Sequence, residues 1–328
     1  MILLNREDIH QVFSMPESIE AVKQAFMLYS QGKSEVPLRT NIQAPKRNGT
    51  FLFMPAYVED MDCASLKIVN IFSDNLQKGL PTSPAQVLLI DGTNGLVAAV
   101  LDGTYVTQLR TGAASGAAFS VLARKDAEIG ALIGTGGQAA TQLEAMLCAR
   151  PLKEVRIYDV SAERLNSFVE RMSKELAAYG TKLVAAPTCD DAVKDADVLV
   201  TMTPSLTPVF NAAVVKPGCT ISCVGTYQPH MQEMDPAILP RASKIYFDSR
   251  SAVLAESGDI IKPLNEGIIT EDDFTGELGD VLLGNIVGRE SDDEIIVFET
   301  VGIGTQDLMA AKAIYEKAVA AGVGTRWE

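Results

Sequence analysis

Apolar residues at Ile19, Val22, Ala25, Phe26 and Tyr29 recur at helical spacing behind Pro16, which predicts a helix over about 16–33. The period then shortens to two. Strands are expected at 39–43, 50–55, 63–71, 85–91 and 96–101. Lys46-Arg47-Asn48-Gly49 and Asp91-Gly92-Thr93-Asn94-Gly95 carry hairpin-turn chemistry between them. This part reads as a helix followed by a mostly antiparallel sheet, closed by an alanine-rich helix over about 105–123. From residue 128 strands and helices alternate. Strands at 155–158, 182–185, 198–202, 220–224, 244–247 and 294–298, with helices at 162–179, 191–194 and near 235–239, predict a doubly wound parallel sheet. A last helix, 306–321, repeats Leu308, Ala311, Ile314, Tyr315 and Ala318. It has no strand to feed, so it is expected to return to the N-terminal part, with 322–327 as a loose tail.

The most informative run is Ala127-Glu128-Ile129-Gly130-Ala131-Leu132-Ile133-Gly134-Thr135-Gly136-Gly137-Gln138-Ala139. It reads as an apolar strand, a G-x-G-x-x-A turn and the start of a helix running to about Arg150. Gly134 permits the tight turn, Gly136 lets backbone approach a pyrophosphate, and Ala139 lets the helix pack on the sheet. The helix N-terminus adds free N–H groups and a positive dipole end. The next strand, Val155-Arg156-Ile157-Tyr158, ends on Asp159, 25 positions after Gly134, where a carboxylate would accept hydrogen bonds from an adenosine ribose. A dinucleotide site is the expectation; a bare strand-turn-helix packing motif is the alternative.

Charge and composition remove other classes. The 328 residues suffice for two domains, and 47% hydrophobic with 21% charged residues is ordinary for a globular protein. Lys+Arg 28 against Asp+Glu 42 gives a net charge of −14, with no basic run, which argues against nucleic acid as a partner. The start, Met1 to Asp8, has neither a cationic nor a long apolar region, and no apolar stretch reaches membrane-spanning length uninterrupted. A cytoplasmic protein without a membrane partner is expected. Cys63, Cys148, Cys189, Cys219 and Cys223 are odd in number and mostly in apolar surroundings. With only His10 and His230 to add ligands, buried thiols and no metal are expected.

The first part must then hold a substrate. Arg39, Lys67 and Arg110 stand beside turn or strand ends, and Lys67 lies within Ala64-Ser65-Leu66-Lys67-Ile68-Val69. A cation buried there needs an anion, and a substrate carboxylate would serve; solvated or salt-bridged scaffold residues are the alternative.

Pro37-Leu38-Arg39, Lys67-Ile68-Val69-Asn70, the run Asp102 to Ala114, Ile133 to Ala139, Ala255-Glu256-Ser257-Gly258-Asp259 and Val301 to Asp307 together resemble the ornithine cyclodeaminase/mu-crystallin family. The matches run in order over nearly the whole chain, and they are specific as a set. The family includes ornithine cyclodeaminase, an archaeal-type alanine dehydrogenase, ketimine reductases and opine-forming synthases. The resemblance implies an α/β fold: a Rossmann-type doubly wound parallel sheet at 116–304 that binds NAD, and an α+β domain with a mostly antiparallel sheet at 1–115 and 305–328. The latter would bind the substrate, a small α-imino or α-amino acid, and form a homodimer. It further implies that Arg39, Lys67 and Arg110 clamp the carboxylate, with Lys67 also exchanging a proton. Thr111, Thr135, Gly136 and Gln138 would contact the phosphates beside Gly134 and Ala139. Asp159 would favour NAD (NADH) over NADP, softened by Arg164. Thr203, Val224, Gly225 and Gly302 would lie near the nicotinamide.

One departure bears on the reaction. The family's cyclodeaminases carry an aspartate that acts on the substrate amines; this chain has Tyr227 there, in Val224-Gly225-Thr226-Tyr227-Gln228-Pro229-His230. A phenol is a poor base at neutral pH and no counter-ion for a second ammonium. Reduction of an existing imine asks only for a clamp, a hydride donor and a proton source. The expectation is therefore an NAD-dependent oxidoreductase reducing a cyclic ketimine such as 1-pyrroline-2-carboxylate to L-proline. Ornithine cyclodeaminase, alanine dehydrogenase and a non-catalytic crystallin-like nucleotide-binding protein are the alternatives. His230 is expected to be an exposed loop residue rather than a catalyst. Glu256 and Asp259, expected in a loop, could orient the site or be solvated.

Overall fold

In the computed structural model, which describes residues 1–328 except the side chain of Leu76, the chain divides into two units. One comprises Met1–Arg110 and Ile303–Glu328, the other Thr111–Gly302. The first begins with β1 (Ile2–Leu4), α1 (Arg6–Val12), α2 (Met15–Ser30), β2 (Ser34–Glu35), β3 (Thr40–Ala44), β4 (Gly49–Val58), β5 (Cys63–Phe72), β6 (Ala85–Asp91) and β7 (Val97–Asp102). Ser14 caps α2 through Glu17, and Asn5 caps α1 through Asp8. Strands β4 to β7 form an antiparallel meander; Asn48 (φ 46°) turns β3 into β4 and Asp62 (φ 44°) turns β4 into β5, two residue types that tolerate the left-handed region. On its outer side β4 pairs with β3 along its first half and with β2 at its end. Pro55, which has no N–H to donate, falls between those two stretches.

α3 (Gly103–Leu122) carries the chain from one unit to the other. The second unit contains β8 (Ile129–Ile133), α4 (Ala139–Ala149), β9 (Glu154–Tyr158), α5 (Ala162–Glu175), β10 (Lys182–Ala185), α6 (Cys189–Val193), β11 (Val198–Thr201), β12 (Thr220–Cys223), β13 (Lys244–Phe247), α7 (Arg250–Glu256), α8 (Gly258–Asn265), β14 (Gly276–Glu277), α9 (Leu278–Leu283) and β15 (Ile296–Glu299). Its eight strands are all parallel, in the order β10-β9-β8-β11-β12-β15-β13-β14. This is the expected doubly wound sheet. Leu132, Val155, Ile157, Val198 and Val200 pack with Phe119, Leu143, Met146 and Phe168 to make its core. The chain runs outward from β8 to β10 and then returns to β11 beside β8. That reversal is a topological switch point, where ligands bind beyond the carboxyl ends of strands.

α10 (Gly304–Ala321) returns to the first unit and packs on α2, β4 and β5, as its unfed position predicts. The tail is not loose. Gly322 (φ 67°) ends α10, and β16 (Thr325–Arg326) joins the first sheet antiparallel to β1. Met1 and Trp327 exchange two backbone hydrogen bonds at 3.0 Å. The tail gains this order because β1, itself parallel to β7, offers a sheet edge that needs a partner. The helix foreseen at 235–239 is a 3₁₀ segment, Pro236–Arg241, with a proline at each end of its core.

Candidate functional site

In the first unit Lys67 occupies a core-facing position of β5, in step with buried Cys63 and Ser65 and opposite Met54 and Val87. Its side chain is wholly buried and faces the first turn of α10, where Asp307 Oδ2 lies 2.7 Å from Nζ. A Cβ at Gly304 would stand 2.7 Å from the Pro55 carbonyl, so the glycine lets α10 descend onto β4. Arg110, near the middle of α3, donates from Nε to Asp307 Oδ1 and from Nη1 to Gln306 Oε1, each at 3.1 Å. Gln306 Oε1 also accepts from Ile303 N at 3.0 Å and so caps α10. Arg39, half-buried just before β3, adds a third positive charge. Burial first, and then the Arg110 charge, brings the Lys67 amine down to about 7, against the opposing pull of Asp307. Beyond the ion pair, Nζ has no hydrogen-bonding partner among the described residues. A buried ammonium with N–H groups left over calls for an anion or a polar ligand.

In the second unit Gly134 sits at φ +103° after β8, and its N–H donates to the Tyr158 carbonyl at 2.8 Å. A Cβ built on Gly136 would meet nothing within 4 Å, so the turn has open space before it. Gln138 holds its Oε1 buried and unpartnered just ahead of α4. A Cβ on Gly112 would come within 2.5 Å of the Thr141 carbonyl, so α3 presses closely on α4, and Thr111 O accepts from Gln142 Nε2 at 3.0 Å. These features fit a pyrophosphate group. Asp159 does more than the sequence suggests. Its Oδ2 accepts from Thr135 N (2.9 Å) and Oγ1 (2.7 Å), and its Oδ1 accepts from Ser161 N (2.8 Å) and Arg164 Nη2 (2.7 Å). Burial works to raise this carboxyl, but those hydrogen bonds prevail and hold it below the usual range.

Beyond β11 and β12, Glu233 fastens two strand ends together. Its Oε2 accepts from Thr203 N (2.5 Å) and Oγ1 (2.8 Å), and its Oε1 from Gly225 N (2.8 Å). Asp259 Oδ1 in turn accepts from the N–H groups of Glu233 and Met234, each at 2.9 Å. Thr226 Oγ1 links Asp259 and Glu299, and Ser257 Oγ donates to Glu299 Oε1 at 2.8 Å. Burial raises all three carboxyls; with the neighbouring Glu233 charge it brings Asp259 to about 7. Such a cluster shares protons, since three adjacent buried carboxylates do not all ionise. Cys223 Sγ lies within 4.8 Å of carboxylate oxygens from Asp259 and Glu299, but hydroxyl and amide donors already engage those carboxylates. Gly302 (φ 82°) donates its N–H to Asp248 Oδ2 at 2.6 Å.

Sequence reasoning missed Asp307, Gln306 and Glu233 as site residues. The available signal was polar side chains interrupting apolar runs, as Glu299 does after Ile296-Val297-Phe298. Glu256 and Asp259 are not in a loop: they end α7 and begin α8, both buried, because α8 follows α7 after the single residue Ser257. Val224 closes on the Thr201 carbonyl just after β12. Tyr227 is half-buried, which raises its phenol further from any basic role, while His230 is exposed in a turn. All five cysteines are free thiols; four are buried, and Cys148 lies 3.1 Å from the Tyr179 hydroxyl. Among the described residues no helix is long and apolar enough to cross a membrane.

A sequence model of the ornithine cyclodeaminase/mu-crystallin family matches residues 1–322. The chain is 34% identical over 328 residues, all of both proteins, to a Delta(1)-pyrroline-2-carboxylate reductase of Bacillus cereus. It is similar to the structure of Thermococcus litoralis Delta(1)-pyrroline-2-carboxylate reductase in complex with NADH and L-proline, with a TM-score of 0.95 and 39% identity over 100% of both chains. An archaeal alanine dehydrogenase dimer with bound NAD matches with a TM-score of 0.92 and 37% identity, over 100% of this chain and 99% of that one. Likeness in sequence and in fold thus extends over the full length, and the chain belongs to the ornithine cyclodeaminase/mu-crystallin family.

Proposed function

We propose that this protein is an NADH-dependent ketimine reductase that converts 1-pyrroline-2-carboxylate to L-proline. The observation that carries this reading is Lys67, a wholly buried amine near neutrality with N–H groups left for a ligand, in a chain alike over its full length to reductases of that substrate. Arg110, with Nε and Nη1 engaged by the protein, offers Nη2 to the substrate carboxylate, and Arg39 adds its charge. Lys67 gives its proton to the ring nitrogen. NADH, when bound, supplies the hydride for Cα, so that C=N becomes CH–NH with atoms and charge in balance. Gly134, Thr135, Gly136, Gln138, Ala139 and Thr111 hold its pyrophosphate, and Asp159 its ribose. Thr203, Val224, Gly225 and Gly302 flank the nicotinamide end.

The chain acts as a homodimer formed by the first unit. Its expected compartment is the cytoplasm, in keeping with five unpaired cysteines. Likeness to the archaeal alanine dehydrogenase supports a second reading, oxidation of L-alanine by NAD. Tyr227 weighs against cyclodeamination. The deciding assay offers NADH with 1-pyrroline-2-carboxylate, 1-piperideine-2-carboxylate, or pyruvate plus ammonia, beside L-ornithine with catalytic NAD. NADH oxidation with L-proline as product is expected. Preference for pyruvate plus ammonia would install the second reading, and ammonia from ornithine without net NADH would install the cyclodeaminase.

A further inference from the structure

A carboxylate stands at the centre of a site built to hold another carboxylate. Asp307 is fully buried, and it touches both of the cations that a substrate anion would seek: Lys67 Nζ at 2.7 Å and Arg110 Nε at 3.1 Å. An acid there competes with the substrate, so its presence needs a reason. Packing alone does not supply one, since a buried ion pair is on balance a weak source of stability.

We propose that Asp307 is a positioning residue for the reduction: by pairing with Lys67 and Arg110 together it fixes the two donors and keeps the Lys67 amine charged until the imine nitrogen takes its proton. This rests on the reductase reading above. The geometry favours it on three counts. Asp307 lies in the first turn of α10, where the helix end favours a negative charge. Its two oxygens serve different cations, so neither can swing without breaking the other contact. Gln306, the preceding residue, accepts from Arg110 in the same turn and gives that guanidinium a second fixed partner on α10. The charged groups acting on Lys67 are Asp307 from α10, Arg110 from α3 and Arg39 from the segment before β3; its strand neighbours Met54 and Val87 are uncharged. Two of the three charges, together with burial, drive the proton off. Asp307 alone retains it.

The test follows Lys67 itself, apart from turnover. In protein labelled with ¹³C-lysine, its ε-carbon signal is the one absent from Lys67→Met, and its midpoint in the wild type is expected near about 7. Asp307→Asn is expected to lower that midpoint by about 1–3 pH units, and Asp307→Glu to keep it within about half a pH unit. Arg110→Gln, which removes a repelling charge, should raise it. In the kinetic arm Asp307→Asn should lose kcat by about tenfold or more at pH 8 and recover as the pH is lowered. A Lys67 midpoint unmoved in Asp307→Asn, or a kcat loss equal at all pH values, would overturn the proposal. If that variant does not fold, an Arg110→Gln midpoint that fails to rise overturns it as well. Should the Lys67 midpoint move as expected while the wild type reduces no cyclic imine, the substrate reading falls and the hold of Asp307 on Lys67 stands.

Discussion

Lys67 draws its chemistry from where the strand register puts it. An alternating strand places one residue in two against the core, and here that residue is an amine. Replacing it with Met keeps the volume and removes the proton, so Lys67→Met is expected to lower kcat by about 10²–10⁴-fold while NADH still binds, as measured by titration with NADH. The pH dependence follows from the lowered amine. In the proposed reduction Lys67 serves as the acid, so kcat should be level below about 7 and fall as the pH rises through it, whereas L-proline oxidation should rise over the same range. A reductase profile that climbs above that midpoint would remove Lys67 as the donor. The cations were legible in the sequence because charged residues in apolar runs are conspicuous. Asp307 was not, because its meaning depends on two partners 240 and 197 positions away that only the fold brings near.

Among the elements, the segments after β11 and β12 depend on one side chain from outside both strands. Glu233→Gln keeps the shape but turns an amide N–H toward donors, at Thr203 N or at Gly225 N, where only an acceptor fits. A lost hydrogen bond to a charged group is worth about 1.5–3 kcal/mol, read here as roughly 10- to 100-fold weaker NADH binding. Unchanged NADH affinity in that variant would leave Glu233 a purely structural tie. Periodicity made the long elements legible: the β4 to β7 meander and the alternation from β8 onward fall where the pattern predicts, within a few residues. β1 and β16 were hidden because two or three residues carry no period, and each exists only through pairing with a distant part of the chain.

For the molecule as a whole, β3 is an edge strand whose residues Thr40 to Gln43 are all exposed, with Leu38 before it and Phe51 beside it also exposed. An uncovered apolar edge invites a partner. Ile42→Asp with Phe51→Asp is expected to shift the proposed dimer to a monomer in light scattering; a variant that remains dimeric would move the proposed interface elsewhere in the first unit. Asp159 has a consequence for how such a protein changes over time. The carboxylate proposed to hold the ribose also holds Thr135 of the glycine turn and Arg164 at the start of α5. A substitution at Asp159 therefore reaches the glycine turn as well as any bound ribose. A lineage that discards this acid loosens the turn and releases Arg164 in the same step.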